Sequence, residues 1–222
     1  MWSNNKMAQI KVIYEDNHLL VVEKPINIPM QEDDSKDEDF LSMCKTYIKE
    51  KYNKPNEAYL GLVHRLDRPV GGVCVFARTS KAANRLSKQI QDHTFKKQYY
   101  AVCIDNNLED KGSFKDYLLK NHKTNTVIVD PKGKLALLDY EILKRKDNLA
   151  LVKVDLHTGR SHQIRVQFSS RNHPLWGDQR YNPDAKKGQQ IALWSHMIEF
   201  EHPTTKQIMN FKSEITRYPF DI

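Results

Sequence analysis

Three short stretches hold residue types that could do chemistry. The first is GLVHRLDRPVGGVCVFAR, residues 61–78, where Asp67 stands between Arg65 and Arg68 just before a proline and two glycines. A carboxylate there can be a turn residue, an ion-pair partner or a reactive group. Flanking arginines favour its ionised form. Gly71 and Gly72 allow unusual backbone angles and the close approach of a ligand. An anionic nucleophile in basic surroundings suits a substrate held by its phosphates. The second stretch is LHTGRSHQIR, residues 156–165. His162 and Arg165 lie three apart and would share one helix face, either a site or a solvated basic surface. Gly159 ahead of them could bring backbone N–H groups to an anion. Arg165 can make a bidentate pair with a carboxylate, and Asp67 is a suitable partner. The third is FKKQYYAV, residues 95–102, where Lys97 and Tyr99 share a strand face. Tyrosine at such a position is core, or it stacks on a nucleobase and offers a hydroxyl for proton transfer.

Other chemistries lack a pattern. The chain has nine histidines, yet none falls in an H-E-x-x-H or paired-cysteine arrangement, so no metal is expected. No Walker loop and no G-x-G-x-x-G occurs, so no nucleotide cofactor is expected. Cys44, Cys74 and Cys103 are odd in number and form no C-x-x-C pair, which suits a reducing cytoplasm better than a disulfide framework.

The elements that must position these residues can be read from periodicity. Ile10 to Tyr14 and Leu19 to Glu23 read as a hairpin around Glu15-Asp16-Asn17. Ser35 to Glu38 fits a capping box ahead of a helix through Phe40, Leu41, Cys44, Tyr47 and Ile48. Leu60 to Val63 and Val73 to Ala77 are extended. Thr79 or Ser80 caps a second helix with Ala83, Leu86 and Ile90 on one face. Phe95 to Ile104 is a strand. Residues 105–135 are polar and turn-rich, with a turn at Asp130 to Gly133. Leu135 to Leu143 and Leu149 to Leu156 form a hairpin around Lys146-Asp147-Asn148. Ser161 is expected to cap a short helix carrying His162, Ile164, Arg165 and Phe168. Ile191 to Phe200 and Gln207 to Phe211 are the last strands. Strands dominate, which gives an α+β class with a largely antiparallel sheet.

The 222 residues allow one domain or two small ones. Hydrophobic residues make up 39%, and no apolar run approaches the ~20 residues of a membrane span. The opening MWSNNKMAQIK lacks the apolar core of a signal peptide. The net charge of +7 makes polyanions natural partners, nucleic acid above all.

Together, five ordered blocks resemble one family, the pseudouridine synthases of the ribosomal large-subunit synthase A type. They are IYEDNHLLVVEKP at 13–25, HRLDRPVGG at 64–72, KQYYA at 97–101, TGRSHQIR with PLWGDQRY at 158–165 and 174–181, and FEHP at 200–203. The resemblance runs from about Ile13 to Phe211. It implies a mixed, mostly antiparallel central sheet with flanking helices and a cleft across it. It implies RNA as partner, ribosomal or transfer, and a cofactor-free isomerisation of uridine to pseudouridine by a base-flipping mechanism. On this resemblance Asp67 is the catalytic aspartate, Tyr99 the active-site tyrosine and Arg165 the arginine paired with the aspartate. Arg65 is implied to occupy the space of the extruded nucleotide, and Leu193 to pack near the uracil. His64, Lys97, Arg160 and His162 are the further expected substrate contacts. Two departures stand out: Val70-Gly71-Gly72 replaces the family's common Thr-Ser-Gly, and Trp194-Ser195 replaces His-Ala.

The expected organisation is a short tail over residues 1–9 and a single catalytic domain over 10–222, without an S4-type RNA-binding domain. The expected setting is cytoplasmic, off the membrane, as a monomer. The rival readings are a non-catalytic RNA-binding domain of the same fold and a metal-dependent hydrolase.

Overall fold

The computed structural model describes residues 10–222, so the expected tail over 1–9 lies outside the described residues. Two compact units emerge. One comprises the described residues up to Phe95 together with Met197–Ser213; the other comprises Lys96–His196 and Glu214–Ile222.

In the first unit, β1 (Lys11–Glu15) pairs antiparallel with β2 (Leu19–Lys24). Asp16 makes the turn: its Oδ1 accepts the N–H groups of His18 and Leu19, both at 2.7 Å. Helix α1 (Phe40–Lys51) follows, then β3 (Gly61–Leu62), β4 (Gly71–Ala77) and α2 (Ser80–Gln91). β4 pairs with β2 from Leu19↔Ala77 to Lys24↔Gly72. Every residue of β4 is buried because both of its faces are covered, so it reads as a continuous apolar run. On one face Val73, Val75 and Ala77 cluster with Ala82 and Leu86 of α2. On the other, Phe76 meets Phe40 of α1, ring centres 6.0 Å apart.

The caps correct one expectation and bear out another. Thr79 caps α2, its side chain accepting from Ala82 N–H. α1 is capped by Asp39, not by a box at Ser35–Glu38: Asp39 Oδ1 accepts from Ser42 N–H at 3.0 Å. Ser35 is instead taken into a turn by Asp33, which accepts its N–H at 3.0 Å.

The second unit is an antiparallel run in the order β5, β9, β8, β6, β7. Its strands are β5 (Lys96–Ile104), β6 (Lys111–Asn121), β7 (Thr126–Val129), β8 (Lys134–Lys146) and β9 (Leu149–Leu156). β6 and β7 occupy the stretch expected to be irregular. Their inward apolar side chains are few, Phe114, Leu118 and Val127. Most of the others face out and are polar, and the inward Asp116 is polar too, its carboxylate accepting from Gln167 and Arg171, which hid the alternation. Helix α3 (Gln163–Ser169) rests on these strands through Val166, which packs with Leu118, Val127 and Ala136.

β10 (Leu193–Glu201) is divided between the units at His196 and Met197. It pairs antiparallel with β11 (Ile208–Lys212) from Met197↔Lys212 to Glu201↔Ile208. Ile198, Phe200 and Phe211 complete the first unit's core. The α+β expectation holds.

Candidate active site

Asp67 sits half-buried in the loop between β3 and β4. Its carbonyl accepts Val70 N–H at 2.9 Å, closing a turn over Arg68-Pro69. The loop's other end is fixed by His64, whose Nε2 accepts the backbone N–H of Val75 at 3.1 Å while the ring packs against Phe95.

The loop is clamped from beneath by a residue that sequence reasoning left without a role. Lys24 is fully buried. Its Nζ donates to the carbonyls of Pro25 at 2.9 Å, Arg68 at 3.1 Å and Val70 at 2.8 Å, so all three ammonium protons are used. Burial pushes its pKa down to about 8, opposed in part by the nearby Asp67 carboxylate. Lys24 is paired in the sheet with Gly72, whose φ of 116° suits only glycine. The Gly72 that survives in this chain's variant of the loop therefore has a backbone reason.

The two flanking arginines behave differently from the symmetric positive field expected around Asp67. Arg65 is exposed. Arg68 is drawn away into an ion pair with Asp37 and a 2.9 Å hydrogen bond to Ser35 Oγ. Within this unit the Asp67 carboxylate lies near enough to act on the buried ammonium of Lys24.

In the second unit Tyr99 is buried on β5 opposite Val154, and Lys97 lies two residues before it on the same face. Arg165 is buried on α3 and gives Nε and Nη2 to Asp178 Oδ2 and Oδ1, at 2.8 and 2.7 Å. Its guanidinium also lies over the Tyr181 ring, 5.2 Å from the centre. The Tyr181 hydroxyl accepts Val127 N–H at 2.9 Å and meets His162 Nδ1 at 2.7 Å. Asp178 and Tyr181 were missed as site-builders, although both lie in the PLWGDQRY block.

His162 does not share a helical face with Arg165. It precedes the helix in a left-handed conformation with φ of 51°, and Ser161 makes no cap. Gln163 organises the turn instead. Its Oε1 accepts Thr158 Oγ1 and Arg160 N–H, and its Nε2 donates to Leu137. Arg160 Nε donates to Leu135 carbonyl at 2.8 Å. Leu193 is buried at the start of β10, followed by buried Trp194 and Ser195. Among the described residues no group of three or more His, Cys, Asp or Glu side chains is arranged to hold a metal.

Comparison with solved structures defines the class. The human RNA pseudouridylate synthase domain-containing protein 4 superposes with a TM-score of 0.78 over 95% of this chain and 90% of that one, at 18% identity. This is the pseudouridine synthase fold. The sequence matches settle the family. The model for RNA pseudouridylate synthase matches residues 18–170. A ribosomal large subunit pseudouridine synthase C of Vibrio vulnificus is 31% identical over 94% of this chain and 67% of its own length. An uncharacterized RNA pseudouridine synthase of Aquifex aeolicus is 33% identical over 92% of this chain and 69% of its own. The chain belongs to the RNA pseudouridylate synthase family, and its reaction is the isomerisation of uridine to pseudouridine in RNA.

Proposed function

We propose that the substrate is a uridine of ribosomal RNA, and that Asp67, Tyr99 and Arg165 carry the chemistry. The reaction breaks the N1–C1′ bond, turns the uracil and joins C5 to C1′. Being an isomerisation, it calls for no redox carrier and no nucleotide energy source. Asp67 acts as the nucleophile, or as the carboxylate that stabilises positive charge growing on the sugar. Tyr99 stacks on the base and relays a proton. Arg165 pairs with Asp67 and orients it.

The base must leave its stack before it can react, at a cost of a few kcal/mol. Exposed Arg65 fills the gap it leaves, and Leu193 packs against the uracil. His64, Lys97, Arg160 and His162 are the remaining contacts. Residues 10–222 act as one catalytic domain, a monomer working away from the membrane. Three unbridged, buried cysteines suit the cytoplasm. Ribosomal RNA is favoured over transfer RNA by the name of the Vibrio relative.

The observation that carries this reading is the clamp on the Asp67 loop. A fully buried lysine spends every proton on it, and its turn is closed by Val70. A loop held so firmly positions a reacting group with little entropy left to lose. The test is Asp67→Asn assayed by tritium release from RNA labelled at uridine C5. Turnover is expected to vanish while RNA affinity and fold persist; substantial residual release refutes the assignment.

A further inference from the structure

The most anomalous charge in the second unit is Lys97. Only 8% of the residue is exposed, yet its Nζ makes no hydrogen bond or ion pair among the described residues. The carboxylate on the neighbouring strand, Asp155, is opposite Gln98 and accepts that side chain at 2.8 Å, on the other face of β5. The charge that does act on Lys97 is Arg160, of the same sign. A buried cation facing another cation is costly, and folding alone gives no reason to keep it. An arriving anion would satisfy both.

The backbone beside the amine is shaped for that arrival. A Cβ placed on Gly159 would come within 2.9 Å of Lys97 Nζ. Gly159 is itself exposed. So the amine rests against a stretch of main chain with no side chain to screen it, and a ligand can approach closely. The loop is fixed in place rather than loose. Thr158 Oγ1 accepts Leu137 N–H at 2.9 Å, and Gln163 ties Thr158 and Arg160 together. A largely buried ammonium beside an exposed guanidinium held by its own hydrogen bond binds an anion more strongly than two freely solvated lysines would.

We infer that Lys97 and Arg160, at the side-chain-free Gly159, form a subsite for one phosphodiester of the RNA backbone. It deepens the proposed function and rests on RNA being the substrate. Lys97 is here a binding residue, and its role is electrostatic rather than catalytic.

The test is the salt dependence of binding to a fluorescein-labelled 15-nucleotide oligouridylate, read by anisotropy. For single strands each neutralised phosphate contributes about 0.7 to the slope of log K against log salt. Lys97→Met is expected to flatten that slope by about 0.7 and to weaken binding roughly 5-fold or more near 0.1 M salt. Lys97→Arg keeps the charge and should retain most of the slope. Gly159→Ala, whose methyl would come within 2.9 Å of the amine, displaces the flexible end of Lys97 and should weaken binding by less than Lys97→Met, with no further loss in the double variant. Because Lys97→Met removes a buried charge, it should unfold no earlier than wild type, so a misfolded variant is recognised at once. An unchanged slope in Lys97→Met overturns the subsite. Wild-type tritium release from ribosomal RNA is measured alongside. If wild type releases tritium and the slope is unchanged, only the subsite fails; if wild type releases none, the functional reading fails instead.

Discussion

Arg165 and Asp178 form a fork-to-fork pair, two parallel hydrogen bonds of 2.8 and 2.7 Å between side chains that are both buried. Asp178 also accepts Arg180 N–H at 3.0 Å, so the carboxylate is held by the backbone that follows it. Removing one partner of such a pair takes two charge-assisted hydrogen bonds away from a buried side chain. Asp178→Ala is expected to cost about 3–5 kcal/mol of stability, with turnover falling as Arg165 loses its orientation. Asp178→Asn keeps the shape and one acceptor, so it should lose less of both. Urea denaturation with turnover on the same samples checks this. Wild-type stability in Asp178→Ala would show the pair to be dispensable.

Tyr99 gives a cleaner separation of roles. Tyr99→Phe removes the hydroxyl and keeps the ring. If the phenol relays a proton, kcat should fall by about 100-fold or more, while the Kd for RNA stays within about twofold. Full turnover in Tyr99→Phe would leave the ring with a stacking role alone.

Lys24 links packing to chemistry. Lys24→Met fills most of the same volume but leaves the carbonyls of Pro25, Arg68 and Val70 without their donor. Orphaned buried acceptors cost about 1–3 kcal/mol each, offset in part by no longer burying a charge. A net loss of about 2 kcal/mol is expected, together with a lower kcat as the Asp67 loop loosens. RNA affinity should change little. Thermal denaturation and single-turnover kinetics would expose the opposite case, a variant as stable and fast as wild type.

Lys97 predicts a pH signature. Its folded-state pKa is lowered from 10.5 to about 8 by burial and by Arg160. Below pH 8 the folded and unfolded chains both carry the proton, and the fold bears the full penalty. Between about 8 and 10.5 the folded chain has released it and the unfolded chain has not, so the unfolded state binds more protons and stability from this group rises with pH. Lys97→Met should therefore be most stabilising relative to wild type near pH 7. The gap should shrink as pH rises through 8 to 10. Denaturation of both proteins at pH 7, 8.5 and 10 measures it, and a gap that widens contradicts the assignment.

Much of this was legible in the residues. The Asp16 turn, the Thr79 cap and the turn at Lys146-Asp147-Asn148 are local, and local chemistry is what sequence displays. Asp147 indeed adopts a φ of 55° between β8 and β9. What stayed hidden depends on burial. Lys24 reads as an ordinary lysine at a strand end, and only packing shows that its ammonium is enclosed. Asp178 reads as a loop acid until Arg165 is seen folded onto it. The Ser35 box had the right residue types, but Asp39 lies immediately before Phe40, the first buried residue of the helix. The short helix at Gln163 has no side-chain cap, and the glutamine amide instead ties together the turn that leads into it.

The division of β10 has a consequence for biosynthesis. The first 95 residues emerge from the ribosome early, but Ile198, Phe200 and Phe211, which complete their interior, are translated more than 100 residues later. Until then Leu19, Val21, Val73 and Leu86 have an unfilled wall. The amino-terminal half must wait, partly open, while the intervening unit is made, and that interval is when a nascent-chain chaperone has the most exposed surface to hold.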